Sequence, residues 1–192
     1  MKTFAIAGSR SLSRNFSALV EKVCSIIILS GHSIVVGCAT GADAAVINAG
    51  LPVSAVRVFA AFDKGPRFDG ACEVSAVDAV AAHAAAGGEV IWLAGGSLSL
   101  KLKVRLSNRT RAVIGAATNG LVVFFDSPQS HGSSLAARLA VNRGLSVFAF
   151  ACGFPARALP SIGVGEWVPS GLGGALANSF FWSQAQTQRE LF

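Results

Sequence analysis

Short apolar runs alternate along this chain with longer stretches in which apolar residues recur every three or four positions. Residues 3–7 form one such run, closed by Gly8, and predict a buried strand. Ser11 and Ser13 then offer N-caps to a helix over 14–30, where Phe16, Leu19, Val20, Val23, Ile27 and Ile28 recur at helical spacing. Gly31 is placed to stop it. The alternation continues with a strand at 33–36, a small-residue helix at 43–49, a strand at 55–59, an alanine-rich helix at 72–86 and a strand at 89–93. Strand and helix compete over 100–106, where apolar and basic residues alternate. A helix through Ala116 is preferred, because Leu102, Leu106, Val113 and Ile114 can share an inner face. A strand at 121–125, a helix at 133–142 and a strand at 146–150 complete the pattern.

That order predicts an α/β fold: a Rossmann-like, three-layer domain over residues 1–150, with a mainly parallel sheet and helices on both faces. Ligands in such sheets bind outside the carboxyl ends of the strands. Pro155, Pro160, Pro169 and clustered glycines mark the later part of the chain. They predict an irregular C-terminal extension over 151–192.

Composition adds limits. Of 192 residues, 52% are hydrophobic and 14% charged, which supplies a core and excludes a disordered chain. No apolar run approaches the roughly 18–20 residues needed to span a bilayer. The N-terminus does not read as a signal peptide, so a cytoplasmic protein is expected. Cys24, Cys38, Cys72 and Cys152 lie far apart without a C-x-x-C pair, which predicts reduced, mostly buried thiols. Net charge is +6, and its distribution is uneven. Between Glu89 and Asp126 there is no acidic residue, while Lys101, Lys103, Arg105, Arg109 and Arg111 crowd together. A polyanionic partner suits that balance.

Three loops are expected to meet at one edge of the sheet. Gly8-Ser9-Arg10 follows the first strand, where small residues expose backbone amides to an anion and Arg10 adds charge; a plain turn reads equally well. In the second loop, Gly37, Thr40 and Gly41 form a turn able to cradle phosphate, and Asp43 is either an N-cap or a ribose ligand. The spacing matches neither G-x-G-x-x-G nor G-x-x-x-x-G-K, which argues against ordinary dinucleotide and P-loop sites. In the third, Gly132, Ser133 and Ser134 start a helix and suit a phosphate, or Ser133 simply caps it. A fourth wall is expected from Arg105, Asn108 and Arg109, which share a helix face fit for phosphate and base-edge contacts or for plain solvation. Neither matched carboxylates, nor a Ser-His-Asp set, nor a metal cluster is legible, so no catalytic or metal-ligating residue is assigned. Binding without turnover is expected, with no cofactor beyond a bound nucleotide.

These motifs resemble the DprA/Smf DNA-processing proteins. The segment Ser107-Asn108-Arg109-Thr110-Arg111, the strand through Phe125 and Gly132-Ser133-Ser134-Leu135-Ala136-Ala137 look like that family's R-N-R helix, apolar strand and S-G-S-x-x-T-A loop. Gly8-Ser9-Arg10 and the 37–43 turn resemble its G-S-R and G-G-A-R-G-x-D turns, and those of SLOG-type nucleotide-binding proteins. Thr40 and Ser107 stand where the family carries arginine, and residues 60–100 match poorly. The resemblance implies a bacterial or mobile-element protein that binds single-stranded DNA, or a small-nucleotide sensor, with a homodimer as one assembly. A related branch, the phosphoribohydrolases, carries P-G-G-x-G-T-x-x-E; here Ala136 takes the place of the catalytic glutamate, which argues against hydrolysis. Gln188, Leu191 and Phe192 form a Q-x-x-L-F ending that resembles the peptide by which bacterial proteins dock onto the replication sliding clamp, or is a frayed end.

Overall fold

The computed structural model describes residues 2–184 except Pro66 and Cys72. Its apolar runs become strands β1 (Thr3–Gly8), β2 (Ser33–Val36), β3 (Val56–Phe59), β4 (Glu89–Ile91), β5 (Gly120–Phe125) and β6 (Ser146–Ala151), all parallel. Between them lie helices α1 (Arg14–Leu29), α2 (Ala42–Ile47), α3 (Val74–Ala85), α4 (Leu102–Ala116) and α5 (His131–Asn142). Two further strands, β7 (Gly165–Pro169) and β8 (Phe180–Gln184), complete an eight-stranded sheet in the order β4-β3-β2-β1-β5-β6-β8-β7.

The inner strands β1, β2 and β5 bury both faces, as their apolar runs require. Ile6, Ile34, Val36, Val122 and Phe124 point to one side, where Val20 and Val23 of α1 and Val80 of α3 cover them. Ala5, Val35, Leu121, Val123 and Phe125 point to the other, under Val113 and Ile114 of α4 and Ala136 and Ala140 of α5. Successive strand residues therefore feed separate cores, and the three layers follow from that alternation. Cys24 and Cys152 are buried free thiols, and Cys38 is buried with its sulfur accepting from the Ala61 amide at 3.3 Å. Burial, helped by Glu21, pushes Cys24 up to about 12, so it stays protonated and inert.

Residues 151–184 correct the expectation of an irregular extension. β8 pairs antiparallel with β6, and β7 with β8, where Trp167 opposes Trp182 with ring centroids 5.0 Å apart. The prolines that suggested irregularity lie outside β7 or at its end, where an edge strand tolerates them. The clamp-like residues Gln188, Leu191 and Phe192 lie outside the described residues. No helix among the described residues is long and apolar enough to cross a membrane.

His83 carries a pH-dependent share of the stability. It is buried on α3, with Nε2 3.2 Å from the Val56 carbonyl. Burial lowers its pKa, and backbone hydrogen bonds to Val56 and Glu89 only partly offset this. The unfolded chain therefore takes up a proton near its ordinary pKa while the folded chain resists it. This contribution is full above that pKa and is lost as pH falls through it. Thermal melts from pH 7.5 to 5.5 should show a shallower decline for His83→Gln than for the parent chain; parallel curves would contradict this.

Candidate functional site

β1 sits mid-sheet: the chain steps from it to β2, β3 and β4 on one side, then places β5 and β6 on the other. Ligands bind at such a switch point, outside the carboxyl ends. There a cleft of about 670 Å³ opens between the ends of β1 and β5, the inner face of α4 and the first turn of α5.

Ser9 brackets the two strand ends. Its amide donates to the Phe124 carbonyl at 2.9 Å, and its hydroxyl accepts from the Asp126 amide at 3.0 Å. The Ser130 hydroxyl donates to Asp126 Oδ1 at 2.6 Å and lies 2.8 Å from the Ser9 hydroxyl. Ser130 has spent its proton on a carboxylate, so the chain runs from Ser9 to Ser130 to Asp126. Burial would push the Asp126 carboxyl up, but the hydrogen bonds from Ser130, with Ser9 behind it, and from backbone amides outweigh it and hold the pKa low. Asp126 is anionic at neutral pH. Arg10 lines the same rim and is exposed.

The 37–43 turn is built for the protein's own packing. Arg109 Nη1 donates to Asp43 Oδ2 at 2.7 Å, and the Ala39 amide donates to the same oxygen at 3.0 Å. Both side chains are buried, at 9% and 8% exposure. A Cβ at Gly37 would strike the Arg109 guanidinium and the Asp43 carboxylate. Gly41 holds φ at +70° against the backbone of Ser9 and Arg10. Asp43, expected as an N-cap or a ribose ligand, is instead the buried partner of Arg109, with no side-chain cap bond. Gly8, Gly37 and Asp43 reach the cleft wall; Thr40 and Gly41 do not line it.

The fourth wall also needs correcting. Arg105 is buried and donates to the carbonyls of Ala61 at 2.7 Å, Gly70 at 3.0 Å and Leu100 at 3.3 Å. Asn108 donates to the Gly95 carbonyl at 3.2 Å. Neither lines the cleft. Loops within 60–100 cover this helix face, and that segment had no legible counterpart among the motifs. Of the three, only Arg109 lines the cleft, with its Nη1 taken up by Asp43, and Lys103, Ser107 and Thr110 of α4 line it beside Arg109.

α5 supplies the anion-attracting wall. Ser130 is its N-cap residue but makes no side-chain cap bond. The first backbone bond of the helix joins the Ser134 amide to the Ser130 carbonyl at 2.9 Å. The amides of His131, Gly132 and Ser133 therefore lack helical acceptors, at the positive end of the helix dipole. Ser133 lines the cleft at 3% exposure, and its hydroxyl has no hydrogen-bond partner among the described residues. A Cβ at Gly132 would meet nothing within 4 Å and the residue has no positive φ, so the fold itself does not demand glycine there. Ser134, expected beside them, does not line the cleft. Asp126 was not singled out from sequence as a site residue, and Lys103 only as a member of the basic cluster. The signal for Asp126 was available, as the first polar residue after a fully buried central strand.

A doubly wound α/β domain with a small-residue cleft at its switch point is the class defined by these features. Its fold is that of the DNA processing proteins A. The chain is similar to DNA processing protein A from Helicobacter pylori, which has a unique single-stranded DNA binding mode, with a TM-score of 0.62 and 18% identity over 78% of this chain and 65% of that one. It is also similar to DNA processing protein A (DprA) from Streptococcus pneumoniae, with a TM-score of 0.58 and 21% identity over 83% of this chain and 53% of that one. The chain thus spans between half and two thirds of those proteins, and the likeness is one of fold. No protein-family model and no curated protein matches the sequence. The DprA-like fold implied by four short motifs is the fold observed.

Proposed function

We propose that this chain binds single-stranded DNA without turning it over, holding a backbone phosphate at the start of α5. One observation carries the reading: a buried serine hydroxyl without a partner, Ser133, beside three amides without helical acceptors. Buried polar groups are normally satisfied, and a phosphate oxygen would satisfy all of these. Arg10 and Lys103 add cationic charge at the rim. The likeness in fold to a single-stranded DNA binder supports the choice of strand. Ala136, in place of the glutamate used by the resembled phosphoribohydrolases, supports binding without hydrolysis.

Fluorescence anisotropy with 5′-labelled oligo(dT) tests this. Affinity should fall with salt, with a log–log slope of about −0.7 per phosphate neutralised. Absence of binding at low salt would overturn the reading. A second reading draws on size. A cleft of about 670 Å³ lies within the range of small-molecule sites, about 300–1,000 Å³. The same phosphate position would then hold a free nucleotide. In that case nucleotides raise the melting temperature and oligonucleotides leave it unchanged.

A further inference from the structure

Asp126 places a fixed negative charge in a cleft otherwise built to attract anions. Its carboxylate is tied to Ser130 at 2.6 Å, and Ser130 directly precedes the acceptor-free amides of α5. The serine chain from Ser9 holds the carboxylate at this position. Charge and anion site are therefore neighbours in one cleft. A carboxylate of this kind only accepts hydrogen bonds, and it repels any second anion beside it.

Inside a DNA strand every sugar lies between two phosphates and carries no hydroxyl. A phosphate seated on α5 would bring the next one towards Asp126. At a 3′ terminus the sugar instead ends in a free hydroxyl, which is a donor and is uncharged. The wall points to the same ligand. Grooves that track a strand stack successive bases on aromatic rings. No Phe or Trp lines this cleft among the described residues; Leu102, Leu106 and Leu135 form an aliphatic wall suited to a single base.

We infer that the cleft recognises a nucleotide whose 3′-hydroxyl is free, with its phosphate on the first turn of α5 and its hydroxyl donated to Asp126. The inference rests on the phosphate position proposed above. Two sources carry this chemistry, the 3′ end of a single strand and a free 5′-mononucleotide.

The test compares 5′-labelled oligo(dT) ending in a 3′-hydroxyl with the same oligonucleotide ending in a 3′-phosphate. It also compares dTMP with thymidine 3′,5′-bisphosphate by thermal shift. The hydroxyl-ended strand should bind roughly tenfold more tightly, as for loss of one charge-assisted hydrogen bond. Asp126→Asn keeps the side-chain shape but not the charge, and should cut that preference to about twofold by improving binding of the 3′-phosphate form. Equal binding of the two oligonucleotides to the parent chain overturns the inference and leaves the phosphate position standing; this comparison needs no variant. Preference retained in a folded Asp126→Asn protein also overturns it. If neither oligonucleotide binds but dTMP stabilises more than the bisphosphate, the hydroxyl inference stands with a free nucleotide as its source, and the strand reading fails. If none of the four probes binds, both fail.

Discussion

Arg109→Ala should lower the melting temperature by roughly 10 °C. Removing one member of a buried ion pair leaves the other charged and desolvated, at a cost of about 3–5 kcal/mol. For a chain of this size each kcal/mol shifts the midpoint by roughly 2–4 °C. Asp43 is the stranded partner here, and the Ala39 amide alone cannot replace a guanidinium. The turn at Gly37 and the entry to α2 are shaped around this pair, so the variant should also loosen the β2 end of the cleft. Adding Asp43→Asn removes the stranded charge and should restore part of the loss, giving a double-mutant cycle with a coupling well above experimental error. A drop under about 2 °C for Arg109→Ala would show that the pair does not hold the turn.

Ser133→Ala should separate binding from folding. The hydroxyl is buried and unpartnered, so its removal should leave the melting temperature unchanged or slightly raised. In the proposed complex it would donate to a phosphate oxygen, a charge-assisted hydrogen bond worth about 1.5–3 kcal/mol. Affinity for oligo(dT) should therefore fall about ten- to a hundredfold with the fold intact. A variant that binds as the parent does would remove Ser133 from the site. A variant that loses stability would show that the hydroxyl has a partner within the fold.

Much of the framework was legible from periodicity. The parallel strands β1 to β6 are short, mostly apolar runs, and their helices begin and end close to the expected positions, although no side-chain hydrogen bond caps them. Where the reading failed, distant contacts decided. Arg105, Asn108 and Arg109 do share a face, but spacing does not say whether a loop covers it. The loops from 60 to 100 satisfy Arg105 and Asn108 with backbone carbonyls, and Asp43 takes Arg109. The glycines at 37 and 41 read as a phosphate cradle because a close approach to a ligand and one to the protein's own atoms demand the same residue. β7 and β8 were hidden because two five-residue strands on either side of a glycine-rich loop leave little periodic signal. Gly132 and Ser133 line the cleft as part of the first turn of α5, and sequence order alone places that helix start just after the central strand β5.

The central claim is that a phosphate sits on the first turn of α5. Titration of ¹⁵N-labelled protein with oligo(dT) tests it most directly. The account predicts that the amides of His131, Gly132 and Ser133 shift most and to lower field, with Ser9 and Asp126 following. Shifts confined to Lys101, Arg111 and the outer face of α4, with the α5 amides unmoved, would contradict it.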